Sequence, residues 1–263
     1  MLTHPQIEDI RYQVQPRHGP VDVIGRYVLL AHRVAQLNGI HLSIGPVELL
    51  SDINRSNRAS WAPLFPGLDV RCSEVGEHNA FAVIGRNQNG DIICTQGCRL
   101  YDFTGTTFTA AAEDMTFWYT NPHAHLSSGD TCVVRAWAGK LITGRADYAG
   151  ATWVHPDYRG NYLVQILPRL VRAVGTTKWG PNAIFGIMAE PLVKNGLLRH
   201  NGFRNHEWSV DLSSATIGTY RFKLLWEKPA DLAEDLAEYL DSSPSEAAHA
   251  ESAGSSQQKA LAV

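Results

Sequence analysis

Apolar residues recur three and four positions apart from Val21 to Asn38 (Ile24, Tyr27, Val28, Ala31, Val34, Ala35, Leu37), and Gly39 follows as a stop. That period predicts one amphipathic helix. His41 to Ile44 has the composition of a short strand. Pro46 to Ala59 is patterned as a helix with a second start available at Ser51-Asp52, and Pro63, Pro66 and Gly67 end it. The period then changes to two. Ala80 to Ile84 and Ile92 to Phe103 flank Asn89-Gly90, the dipeptide that supplies the positive φ angles of a type I′ turn, so a hairpin is predicted. Phe103 to Thr109 reads as a returning strand around Thr104-Gly105, and Ala110 to Trp118 as helix or irregular structure.

Cys132 to Ile142 and Arg145 to Val154 again have strand composition, and His155-Pro156 interrupts them. Asn161 to Val174 carries a helical stripe of Leu163, Ile166, Leu167, Leu170, Val171 and Val174, with a kink expected at Pro168. Ala183 to Met188 is a buried-strand run. Pro191 then stands where a first helical residue belongs and Gly202 where a C′ residue belongs. Asn205 to Leu212 and Thr219 to Trp226 read as two closing strands. Pro229 to Leu240 is a short helix with Leu232, Leu236 and Leu240 on one side, and Ser242 to Val263 has the polar, aperiodic composition of a disordered tail.

The chain has 263 residues, 44% of them hydrophobic and 19% charged, which is the composition of a globular protein and excludes disorder throughout. Net charge is −3, unevenly placed: after Glu227, seven acidic residues face only Lys228 and Lys259, leaving the remainder at +2. Neither part is basic enough to make nucleic acid the main ligand. Four cysteines in a chain this long, without a secretory leader pattern, do not make a disulfide framework, so a reducing cytoplasm is the expected location. No apolar stretch approaches the roughly 18 residues of a membrane span.

The chemistry concentrates in Val154-His155-Pro156-Asp157-Tyr158-Arg159-Gly160, a strand end that opens a helix. The unpaired N–H groups of a helix's first turn, at the positive end of its dipole, attract a pyrophosphate. This segment resembles the acyl-coenzyme A binding turn of the GCN5-related N-acetyltransferase superfamily. The later stretch Asn195-Gly196-Leu197-Leu198-Arg199-His200-Asn201-Gly202-Phe203 resembles that family's second signature, around a Gly-Phe pair. The resemblance covers about Gly144 to Trp226. It implies an α/β (α+β) fold with a mixed, mostly antiparallel sheet of about seven strands and helices on both faces, splayed between the strand ending at Val154 and the strand Ala183 to Met188. Residues 1–45 would be an N-terminal helical extension packed on the domain, 46–227 the acyltransferase domain with an insertion near 104–143, and 228–263 an acidic short helix and tail.

The resemblance also implies roles. Trp153, Val154 and His155 would line the pantetheine arm like an added strand, with a main-chain N–H near Val154 holding the thioester oxygen. Arg159, Gly160, Asn161, Tyr162, Leu163 and Val164 would surround the pyrophosphate. Two positions where the family's loop carries glycine hold Tyr162 and Val164, and the position of a thiolate-protonating tyrosine holds Leu198, with His200 two residues on as a substitute donor. Asp147 and Glu190 are the candidate bases for the attacking amine, against plainer readings as a solvent-facing strand residue and a helix-start carboxylate. The co-substrate implied is acetyl-CoA or another acyl-CoA, without a metal, and the acceptor a small-molecule amine or peptide. Two other readings remain open: a longer-chain or acyl-carrier-protein donor, as in acyl-homoserine lactone or N-acyl amino acid synthases, and a non-catalytic ligand-binding module. Cys94-x-x-x-Cys98, His123-Ala124-His125 and Phe117-Trp118-Tyr119 read more simply as core or surface residues than as a zinc site or a base-stacking platform.

Overall fold

The computed structural model describes residues 8–160, 162–215 and 217–242. A short helix α1 (Ile10–Gln13) precedes α2 (Val21–Leu37), which forms where the helical stripe begins and ends one residue before Asn38. β1 (His41–Gly45) and α3 (Leu49–Ser56) follow, then the hairpin strands β2 (Ala80–Arg86) and β3 (Ile92–Phe103). α4 (Phe108–Glu113), α5 (Pro122–Ser127) and β4 (Thr131–Val134) come next. β5 (Gly144–Val154), α6 (Leu163–Trp179), β6 (Ala183–Ala189) and α7 (Glu190–Lys194) make two successive strand–helix units. β7 (Asn205–Ser214), β8 (Gly218–Glu227) and α8 (Pro229–Ser242) close the described chain. Among the described residues no helix is long and apolar enough to cross a membrane.

Eight strands share one sheet in the order β1-β2-β3-β5-β6-β8-β7-β4, and every neighbouring pair is antiparallel except β5 and β6. The two faces have different cores. α2, α6 and α8 bury an aliphatic layer, including Ile24, Leu167, Leu170, Leu232 and Leu236, against Val83 and Ile184. The opposite face is aromatic, with Tyr101, Phe103, Phe108, Phe117, Trp118, Tyr148 and Phe185 packed edge to face and tilted. Phe117, Trp118 and Tyr119 are therefore core, as their composition suggests. β1 is the sheet's first strand and not a part of an extension. Gln13 covers its open edge, donating from Nε2 to the Ile44 carbonyl at 3.0 Å and accepting from the Ile44 N–H at 2.6 Å.

Several local expectations are corrected. The β2–β3 turn is a five-residue loop, not a two-residue type I′ turn: the positive φ falls on Gly90 (88°), while Asn87 accepts from the N–H groups of Asn89 and Asp91 and donates its own N–H to Asp91. Phe103 to Thr109 does not return as a strand, because Thr107 caps α4 by accepting from the Ala110 N–H at 3.1 Å and three alanines propagate the helix. The strand expected over Cys132 to Ile142 ends at Val134. The chain then turns inward where a Cβ on Gly139 would lie 2.5 Å from Thr109 Oγ1. The helix after Pro191 stops at Lys194, since Gly196 (φ 80°) reverses the chain before a separate 3₁₀ turn at Leu197–His200. The eighth strand is β4, which lies within residues 104–143 and pairs with β7 at the sheet edge. Most of the expected tail, residues 243–263, lies outside the described residues.

Candidate active site

β5 and β6 run side by side only from Ala146↔Ala183 to Tyr148↔Phe185. Beyond these pairs β5 continues to Val154 on β3, and β6 continues to Ala189 on β8, so the two strands part. Gly186 stands at the start of the gap, where a Cβ would meet the Ala149 carbonyl oxygen at 2.9 Å. β5 is bent there by a bulge: Gly150 to Trp153 spans one residue more than Gly97 to Thr95 opposite, and Ala151 takes a left-handed φ of 55°. Thr95 Oγ1 donates to the Ala151 carbonyl at 3.1 Å and fixes the bulge. Sequence alone gives no signal for it, because nothing marks an alanine that must adopt a glycine conformation.

The open end of β5 brings together Trp153, Val154, His155 and Arg159. The His155 N–H donates to Ile93 at 2.7 Å, toward β3. Strand alternation therefore turns the N–H and C=O of Val154 the other way, into the gap. The Val154 carbonyl accepts from Arg159 Nε at 3.1 Å, and Arg159 Nη2 donates to the Ser60 carbonyl at 3.0 Å. Trp153 points to the aromatic face, stacks on Trp61 at 5.6 Å between ring centroids, and donates from Nε1 to Ser60 Oγ at 3.1 Å. Ser60 and Trp61 are thus part of the site's wall, which the sequence did not indicate.

The turn after His155 is a single 3₁₀ turn, Pro156–Tyr158, with His155 Nδ1 accepting from the Asp157 N–H at 3.3 Å. Tyr158 bonds across to Asn87 of the hairpin loop at 3.4 Å. Gly160 (φ 86°) then redirects the chain into α6, with open space where its side chain would be. Tyr162 is the N-cap residue and gives no side-chain cap, so the first-turn N–H groups at Leu163 and Val164 point out of the helix start. Leu163 is buried, Val164 half-buried and Tyr162 exposed. Asn161 lies outside the described residues.

Asp147 is not in the gap. It is fully buried beneath α6, where a Cβ on Gly175 would lie 2.6 Å from its Oδ2, and neither carboxylate oxygen has a hydrogen-bond partner among the described residues. Burial pushes its carboxyl well above the ordinary range, with Arg145 pulling weakly the other way. Both sequence readings of this residue are corrected: it does not face solvent, and a carboxyl buried under a helix has no path to an amine in the gap.

Glu190 is where a base could work. It follows the last residue of β6, on the parted side, and its carboxylate pairs with Lys194 at 2.9 Å. His200 lies in the 3₁₀ turn, where its Nε2 accepts from Arg199 Nε at 3.3 Å. Two arginines of α6 hold that turn. Arg169 forks onto Asp235 of α8 at 2.8 and 3.0 Å and donates to the His200 carbonyl at 3.1 Å. Arg172, with no exposed surface, donates to the Asn201 carbonyl at 2.6 Å and pairs with Glu227 at the end of β8. Burial pushes the Glu227 carboxyl up to about 7 against the pull of Arg172. An acid at the end of a strand and arginines inside an apolar helical stripe are the signal that would have revealed this clamp.

Cys94 and Cys98 are buried thiols, and burial raises Cys94 to about 12. His125 pairs with Asp130 at 3.2 Å, and among the described residues no three His, Cys, Asp or Glu side chains are grouped as a metal site.

No family model matches the chain, and no curated protein matches it. Among solved structures, the chain is similar to mutant forms of the spermidine/spermine N-acetyltransferase SpeG from Vibrio cholerae, at 8% identity over 75% of this chain and 98% of that one, with a TM-score of 0.40. It is also similar to NAA60 of Arabidopsis thaliana in complex with a bisubstrate analogue, at 10% identity over 71% and 97% of the two chains, TM-score 0.40. A third is a predicted acetyltransferase with acetyl-CoA from Clostridium acetobutylicum, at 15% identity over 63% and 90%, TM-score 0.36. The chain's own strand order and the parting of β5 from β6 give it an α/β fold built on one mixed, mostly antiparallel sheet.

Proposed function

We propose that the protein is an N-acyltransferase that moves an acyl group, most simply acetyl, from a coenzyme A thioester to an amine by direct attack. The observation that carries this reading is the gap between β5 and β6, open beside the N-terminus of a 17-residue helix that a glycine turn feeds from the end of β5. An extended, amide-containing arm would add to the free edge of β5 at Val154 as a strand does, and the pyrophosphate would meet the N–H groups between Gly160 and Val164. The Val154 N–H would hold the thioester oxygen as negative charge develops on it.

The amine nitrogen forms a bond to the carbonyl carbon, the carbon–sulfur bond breaks, and the amine proton passes to Glu190. The thiolate leaves as an anion stable near neutral pH, since free thiols titrate near 8.5, and takes a proton from water or His200. Acceptors are small amines or peptide amines. The four free thiols fit a reducing cytoplasm. Exposed Tyr162 at the helix start favours a second donor class, a longer acyl chain or one tethered to a carrier protein.

Calorimetric titration with coenzyme A, acetyl-CoA and medium- and long-chain acyl-CoAs tests the reading. Micromolar binding of any of these supports it, and the preferred chain length identifies the donor. Binding of none removes the acyl-CoA reading and leaves a carrier-bound donor or a ligand-binding module.

A further inference from the structure

Arg159 is the residue on which two separate parts of the site meet. Its Nε–H is spent on the Val154 carbonyl, which faces the gap, and its Nη2 on the Ser60 carbonyl, ninety-nine residues away in sequence. The loop carrying Ser60 follows α3 and lies against the end of β5 on the aromatic face, where it is further fixed by Trp153 Nε1 on Ser60 Oγ and by the Trp61–Trp153 stack. α6 covers the opposite face of the sheet. One exposed guanidinium therefore ties the edge of β5 that an extended ligand would use to the loop that packs on the aromatic face of that strand's end.

We propose that Arg159 is a latch between these two parts: it holds the 57–61 loop against β5, and an acyl donor's arm releases it by taking the Val154 carbonyl. The proposal rests on the acyltransferase reading. An amide N–H adding to β5 must approach the oxygen that Arg159 Nε already occupies, in the direction set by the strand. Charge-assisted hydrogen bonds to carbonyls are stronger than neutral ones. The exchange is nonetheless favourable when the freed guanidinium finds a stronger partner, and a pyrophosphate at Gly160, one residue along, is such a partner. Arg159 is then a positioning residue. It closes the wall of the site until the donor is seated, and then gives the amine a loosened loop to enter by. Binding of donor and acceptor are coupled in that order, with the bistable element being the 57–61 loop.

Hydrogen exchange of the full-length protein, followed on peptides covering residues 57–61, tests this with acetyl-CoA as the probe. Without the probe, Arg159→Ala is expected to exchange about tenfold faster than wild type in these amides, with the rest of the sheet unchanged. Arg159→Lys keeps the charge but lacks the planar fork whose Nε and Nη2 reach the two carbonyls separately, and is expected to exchange faster than wild type in these amides. Saturating acetyl-CoA is expected to speed exchange at 57–61 in wild type and to leave it unchanged in Arg159→Ala. Equal exchange of wild type and Arg159→Ala without the probe overturns the latch, whatever the protein binds. Faster exchange in the variant together with no acetyl-CoA binding to either protein overturns the release by an acyl donor and the function on which it rests. Acetyl-CoA binding that slows exchange at 57–61 in wild type also overturns the release, while leaving the acyltransferase reading intact.

Discussion

Gly175 of α6 and Asp147 of β5 are fitted to one another: a Cβ on residue 175 would stand 2.6 Å from Asp147 Oδ2 and 3.0 Å from Cys98 Sγ. Helix and sheet approach at this point only because one side chain is missing. Gly175→Ala must displace a buried carboxyl or shift α6 away from β5. A loss of about 1–3 kcal/mol is expected, the usual cost of overpacking a filled interior. Urea denaturation checks it, and the same substitution in an Asp147→Ala background is expected to cost less than half as much.

The same carboxyl gives the protein a pH-dependent stability with a definite sign. Burial raises the Asp147 pKa in the folded state, so the native protein keeps a proton that the unfolded chain, titrating near 3.9, gives up. The native state binds more protons above that point, and stability falls as pH rises through the interval between the two values. Glu227 acts in the same direction over a window from the ordinary carboxylate range to about 7. Asp147→Asn removes the first contribution. Relative to the variant, wild type is expected to lose stability as pH rises above the ordinary carboxylate range. Parallel stability curves for the two proteins over that range would mean that the carboxyl is not held neutral.

What the sequence revealed and what it hid follow from the range of the forces involved. α2 and α6 were legible from their helical stripes of apolar residues, and β3, β5 and β6 from apolar, strand-forming runs bounded by turn residues. The stretch 103–142 was not, because its structure is set by contacts with other elements: Gly139 against Thr109, and β4 against β7. In the site, the Val154 to Gly160 turn was readable as local chemistry. The Ser60–Arg159 bond and the Ala151 bulge were not, since one spans ninety-nine positions and the other hides in an unremarkable residue. Asp147 was misread for a related reason. A strand's alternation tells which residues share a face, but only the packed helix tells which face is dry.

Arg172 and Glu227 form a pair with no exposed surface, and Arg172 also supports the Asn201 carbonyl beside the Gly202-Phe203 signature. Truncating one partner strands the other as an uncompensated buried charge. Arg172→Ala is expected to cost about 3–5 kcal/mol, whereas the double replacement Arg172→Met with Glu227→Leu should recover most of it. The double variant leaves the Asn201 carbonyl unsupported. Its restored denaturation midpoint is therefore expected to come with faster proteolysis around residues 196–203 than in wild type. Equal destabilisation by the single and double variants would show that the pair contributes through packing alone.

Glu190 is the remaining candidate for the base, and its surroundings give the test its form. It is about two-thirds buried at the end of β6 and its ion-pair partner among the described residues, Lys194, is largely exposed. A surface pair of this kind is worth under about 1 kcal/mol, so the carboxylate is free to exchange Lys194 for an ammonium or amine entering the gap. Glu190→Gln keeps the shape and removes the basicity. It is expected to lower turnover about 10²-fold while leaving acetyl-CoA affinity within about threefold of wild type, because in the proposed reading the donor's arm and phosphates would lie along β5 and α6. Lys194→Ala is expected to change turnover less than threefold. A turnover unchanged in Glu190→Gln would move the proton to water, and leave Glu190 as the residue that begins α7.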